Sequence, residues 1–178
     1  MPTNLSHLQQ VLDHKTVLLD SNFLIDSYRS WDSFGQVIKE FESYNVVLTT
    51  NSLVALEVVK GVRSPEEFEK KTAFVNRILK GFLLPVTKDT TEIVLSEVIK
   101  LYGIQGSAHI TDLHLAASAI QYKDSTGVLI LTRDYKDFPT TIFDLMGTIP
   151  VECKPEACIY GLYKYSEEKA LNILSKYS

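Results

Sequence analysis

The sequence predicts an α/β fold: a three-layer α/β/α domain around a short central parallel sheet, with an N-terminal helix and a C-terminal extension. Short apolar runs, "TVLLD", "NVVLTT" and "TGVLILT", alternate with longer stretches of helical periodicity. Each run lacks a polar face, which is the pattern of strands covered by helices on both sides. The length of 178 residues suits one domain, and a chain of this size buries roughly 70% of its extended surface.

Leu5, Leu8, Val11 and Leu12 repeat at helical spacing and predict an amphipathic helix over 4–14. The first strand follows at 16–20, then helical periodicity over 22–29 and 33–43. The second strand is 45–50. "NSLVALEVVKG" is a helix with Asn51 or Ser52 as N-cap and Gly61 as its stop. In "SPEEFEKKTAFVNRILKG", Ser64 caps, Pro65 takes the first position, Glu67 stands three after the cap, and Gly81 ends the helix. "FLLPV" is a short third strand. "DTTEIVLSEVIKLYG" and "SAHITDLHLAASAIQYKD" are two more helices, separated by the turn "GIQG". The strand at 126–132 leads into the loop "RDYKDFP". Beyond Pro150 the tail predicts one strand and a final helix, "SEEKALNILSKY".

Composition narrows the class. A hydrophobic fraction of 45% and a charged fraction of 22% are ordinary for a globular chain. The N-terminus has no signal-peptide pattern, and no apolar run is long enough to span a bilayer, so a cytoplasmic protein is expected. Cys153 and Cys158 are expected to be reduced packing thiols, because two cysteines without a neighbouring histidine do not complete a zinc site. The net charge of −4 argues against a general polyanion binder but leaves room for an acidic site beside a local basic face.

In open α/β sheets, ligands bind beyond the carboxyl ends of the strands. Asp20 ends the first strand, Glu57 lies in the helix after the second, Asp134 follows the strand "VLILT", and Asp112 lies early in the helix leading to that strand. Ala116 and Ala119, at i+4 and i+7 from Asp112, let its helix approach the sheet closely. Taken singly, each acid has a plainer role: helix cap for Asp20, dipole partner for Asp112, solvated helix face for Glu57, loop carboxylate for Asp134. Taken together, converging carboxylates raise one another's pKa, and a cation relieves them. An all-oxygen donor set favours Mg²⁺ or Mn²⁺, and such sites hydrolyse phosphodiesters with metal-activated water.

"LLDSNFLID", "LTTNSLVALEVVKG", "ITDLHLAASAIQY" and "LILTRDYKDF" resemble, in order and spacing, the successive motifs of PIN-domain ribonucleases, with toxin-type (VapC-like) members the nearest resemblance. The similarity spans about 16–149; the N-terminal helix and the extension over about 150–178 lie outside it, within one domain of 1–178. It implies a Rossmann-like sheet and a metal-dependent RNA hydrolase that leaves a 5′-phosphate. It places the metal-binding and catalytic acids at Asp20, Glu57, Asp112 and Asp134, with Asn22 and Thr132 as supporting polar residues. It further implies an RNA substrate, a homodimer, and an antitoxin partner if the chain is a toxin.

Residues 60–80 carry six basic residues, Lys60, Arg63, Lys70, Lys71, Arg77 and Lys80, against three acids, a net +3 in a chain of −4. Lys60 and Arg63 lie nearest Glu57, and Arg133 and Lys136 flank Asp134; all four are candidate RNA contacts, against the alternative of a solvated mixed-charge helix. Tyr135 is expected to pack in the core. His109 and His114 bracket Asp112, neither expected as a general base. Two rival readings stand beside the nuclease. One is a haloacid-dehalogenase-like phosphatase, against which Asn22 occupies the position of a required second acid. The other is a non-catalytic PIN-like module that binds RNA or protein, against which all four acids are present. The sequence lacks a Gly-rich nucleotide loop and a Ser-centred hydrolase elbow.

Overall fold

A computed structural model describes residues 5–103, 108–124, 127–153 and 157–177. The turn "GIQG" lies, from residue 104 on, outside the described residues.

Leu5, Leu8 and Leu12 are buried, as their spacing predicts. The N-terminal helix is nonetheless shorter than 4–14: a 3-10 turn, Ser6–Leu8, runs into α1, Gln9–Leu12. His14 then adopts a left-handed φ of 53°, which turns the chain into β1, Thr16–Leu19. α2 (Ser21–Arg29) and α3 (Trp31–Ser43) follow, then β2 (Val47–Asn51) and α4 (Ser52–Val59). α5 (Pro65–Leu79) begins at the predicted cap, where the Ser64 hydroxyl accepts from the Glu67 amide at 3.1 Å. β3 is only Leu83–Leu84. α6 (Lys88–Ile93) and α7 (Ile99–Tyr102) are joined by a π-helical turn, Val94–Val98, inside what the sequence presents as one helix. α8 (Ile110–Gln121) precedes β4 (Val128–Thr132).

The sheet has six strands in the order β3-β2-β1-β4-β6-β5. The first four are parallel, with Leu18 paired to Thr49 on one side and Ile130 on the other. A strand that the sequence reading did not assign, β5 (Phe143–Val151), leads into the tail, which then supplies the expected single strand, β6 (Cys158–Tyr165), and final helix, α9 (Glu167–Leu174). β6 pairs antiparallel with β4, so the extension belongs to the sheet. β5 holds Gly147 and Pro150, which hide a strand in sequence; at a sheet edge the missing N–H of proline is tolerated. A bulge between Leu145 and Gly147 fits the same edge position.

One helical group, α2 to α5, and another, α6 to α9, flank the sheet. Phe23 of α2, Phe34 of α3 and Tyr160 of β6 meet edge to face, with ring centroids 5.1 to 5.8 Å apart. The carboxyl ends of β2, β1 and β4 lie side by side, held by the Thr50 hydroxyl donating to the Leu19 carbonyl at 2.7 Å.

Candidate functional site

Asp20 stands directly after β1 and caps α2. One carboxylate oxygen accepts the Ser21 amide at 2.6 Å; the other accepts the Asn22 side-chain amide and the Thr132 hydroxyl, each at 2.6 Å. The residue is 3% exposed, so the capping role and the site role coincide. Burial raises its pKa, opposed by the Thr132 and Ser21 hydrogen bonds and reinforced by the charge of Glu57.

Thr132, the last residue of β4, is fully buried. Its oxygen also accepts the Asn22 side-chain amide and the Asp134 backbone amide, both at 2.9 Å. Asn22 accepts the Arg133 amide through its own carbonyl at 3.4 Å. Asn22 and Thr132 thus stitch the start of α2 to the end of β4, where parallel pairing has already brought them together.

Glu57 is carried by α4, whose start is fixed by a buried cap. The Asn51 side-chain oxygen accepts the Val54 amide at 3.0 Å, and its amide donates to Ser118 of α8 at 3.4 Å. Asp112 lies in the first turn of α8, where its carboxylate accepts the His109 amide at 3.2 Å. Burial pushes its pKa up to about 7, with further lifting from the charges of Asp20, Asp137 and Glu57. His109 is exposed at the helix start, and His114 is buried and bonded to the Ile110 carbonyl at 2.9 Å.

Asp137 is the acid the sequence reading missed. Its pKa is raised to about 6 by burial first, then by the charge of Asp134 and a hydrogen bond to it, then by Asp20. Asp134 itself is exposed, its carboxylate accepting the Lys136 amide at 3.3 Å. The two acids in "RDYKDF" therefore stand together, Asp137 half-buried and hydrogen-bonded to exposed Asp134, with the charge of Asp20 acting on Asp137 and that of Asp137 on Asp112. Phe138, fully buried, anchors the loop, and the Tyr102 hydroxyl donates to the Asp137 carbonyl at 2.6 Å. The spacing of two acids three residues apart, just before an apolar anchor, was the available signal.

The basic candidates separate. The Arg133 guanidinium pairs with buried Asp26 at 2.7 Å while its side chain stays 45% exposed. Lys60, Arg63 and Lys136 are exposed. Tyr135, expected in the core, is 66% exposed, because the turn after β4 points it outward. Cys153 and Cys158 are free thiols beside each other, and burial and the neighbouring Cys158 push Cys153 up to about 12.

Among the described residues, no three His, Cys, Asp or Glu side chains converge closely enough to form a ready-made metal cage. The donor set nonetheless fits a hard cation. It consists of carboxylates, of which Asp20, Asp112 and Asp137 have raised pKa values, by burial first and by neighbouring carboxylate charge second, and Mg²⁺ in particular needs only one or two protein carboxylates beside water and substrate oxygens.

The class is set by topology and placement: a three-layer α/β/α protein in which Asp20 stands at the carboxyl edge of the parallel strands, bonded to Thr132 at the end of β4. The PIN domain family model matches residues 17–141, and the chain belongs to the PIN-domain family. A search of curated proteins and a search of solved structures each returned no match. PIN domains are generally nucleases that cleave RNA with divalent metal ions. Among the described residues, no helix is long and apolar enough to cross a membrane.

Proposed function

We propose that this chain is a ribonuclease dependent on Mg²⁺ or Mn²⁺, with Asp20, Glu57, Asp112 and Asp137 around the cation and Asp134 at the rim. The observation that carries the reading is the electrostatic coupling of Asp112 to Asp20, Asp137 and Glu57. Four acids from four separate parts of the chain share one edge, at a cost in charge repulsion that a bound cation removes.

A divalent cation, when bound, supplies neutralisation of the carboxylates and activation of water for attack on the phosphodiester. The chain's own groups do the rest. Thr132 and Asn22 hold one oxygen of the Asp20 side chain and the Ser21 amide holds the other, so that carboxylate keeps one orientation. The His109 amide holds Asp112, and the Tyr102 hydroxyl holds the backbone of Asp137. Exposed Lys136 and Tyr135, beside Asp134, are placed to meet the phosphate and a base of an RNA strand. Lys60 and Arg63 extend that contact from the end of α4.

Asp20→Asn and Asp112→Asn are each expected to lower cleavage of purified RNA by more than about 100-fold, with the fold retained. Wild-type cleavage by either variant would remove the site assignment. The family match favours a nuclease over the phosphatase alternative, and a non-catalytic module is told apart by its failure to bind Mn²⁺. The motif resemblance supports extending the reading to a cytoplasmic, dimeric toxin held in check by a small antitoxin. Growth arrest on expression, relieved by Asp20→Asn, is the expected result.

A further inference from the structure

α2 runs from Asp20 toward a second surface. Tyr28, near its end, packs edge to face on Phe74 of α5 at 5.1 Å, and Trp31, opening α3, does the same at 5.7 Å. Arg77 lies over the Trp31 ring at 4.1 Å from its centroid and over Phe74 at 5.3 Å. Trp31 is 38% exposed. Tyr28, Lys70, Phe74 and Arg77 line a shallow depression of about 420 Å³ between the helices. Lys70 is held by Glu66, but among the described residues Arg77 has no carboxylate partner. Its charge is oriented by aromatic rings and remains available to an anion.

We propose that this aromatic and cationic face binds a single-stranded stretch of the RNA substrate away from the cleavage point. The proposal rests on the nuclease reading above. A guanidinium stacked on an indole keeps its outer plane free for a base and its N–H groups free for a phosphate. Lys70, Phe74 and Arg77 of this face belong to a basic part of the chain, residues 60–80, at net +3 in a chain of −4. The face lies about eight residues down α2 from Asp20, or about 12 Å along the helix axis, a separation that one strand can bridge.

Trp31 is the only tryptophan, so its fluorescence reports on this face alone. The test titrates the Asp20→Asn protein with a short oligouridine in EDTA, where cleavage and metal binding play no part. Quenching of Trp31 is expected. Arg77→Ala is expected to weaken binding of labelled oligouridine by about tenfold and to flatten its salt dependence by about one phosphate contact. Arg77→Lys should recover the salt slope but not the full affinity. Absent quenching, or equal binding by Arg77→Ala, overturns the proposal and leaves the nuclease reading standing. Quenching by polyglutamate but not by oligouridine overturns it in favour of a protein-docking face.

Discussion

At the residue scale, Thr132 shows how little the site leaves to chance. One buried hydroxyl donates to Asp20 and accepts from Asn22 and from the Asp134 amide, so strand, helix and loop share an oxygen. Asp112 shows the opposite, a carboxyl in an uncomfortable place. Its folded pKa of about 7 lies above the ordinary 3.8, so the folded chain holds a proton that the unfolded chain releases. Between about pH 4 and pH 7, the metal-free protein therefore loses stability as pH rises and regains it as pH falls. Asp137, raised to about 6, acts in the same direction. Asp112→Asn should flatten this slope. Urea unfolding in EDTA at about pH 5 and about pH 8 reads it, and an unchanged slope in the variant would count against the burial described for this carboxyl.

At the element scale, the C-terminal hairpin is more than an appendage. Asp26 of α2 is 7% exposed and is shared by the Tyr160 hydroxyl of β6 at 2.6 Å and by Arg133 at 2.7 Å. Arg133 stands between Thr132 and Asp134, so β6 steadies the loop that carries the acids. Tyr160→Phe removes one donor to a buried carboxylate and should cost about 1.5–3 kcal/mol in denaturant unfolding. Asn51→Ala, which empties the cap of α4, should cost about 1–2 kcal/mol and loosen Glu57. The parallel strands and their helices were legible because apolar runs and caps are local signals: Asn51, Ser64 and Pro65 stand where their chemistry demands. β5 was not, since Gly147 and Pro150 read as a turn and are tolerated only by virtue of an edge position that sequence does not show. Asp20 could be placed because β1 must end somewhere. Asp134 was chosen and Asp137 passed over, because how deeply each is buried depends on the turn between them and on Phe138 reaching the core.

At the scale of the whole molecule, the proposed metal site would make cation binding and folding one equilibrium. A cation that binds only the folded edge stabilises it by about 2.7 kcal/mol at 100 times its Kd, or about 5–10 °C for a chain of this length. Thermal unfolding should show that shift with Mn²⁺ for the wild type and none for Asp20→Asn; a wild type indifferent to Mn²⁺ would remove the metal-dependent reading. The order of the sheet carries one more consequence. Asp20 and Thr132 are 112 residues apart, and β4 is sandwiched between β1 and β6. Synthesis is vectorial, so the first acid leaves the ribosome long before the hydroxyl that orients it, and the strand that seals β4 arrives only at Cys158–Tyr165. A growing chain therefore carries an unfinished edge for most of its translation. On the proposed ribonuclease reading, that timing would shield the message and the ribosome producing it. Chains arrested on the ribosome before β6 has emerged are expected to be inert toward RNA, while full-length released chains cleave it.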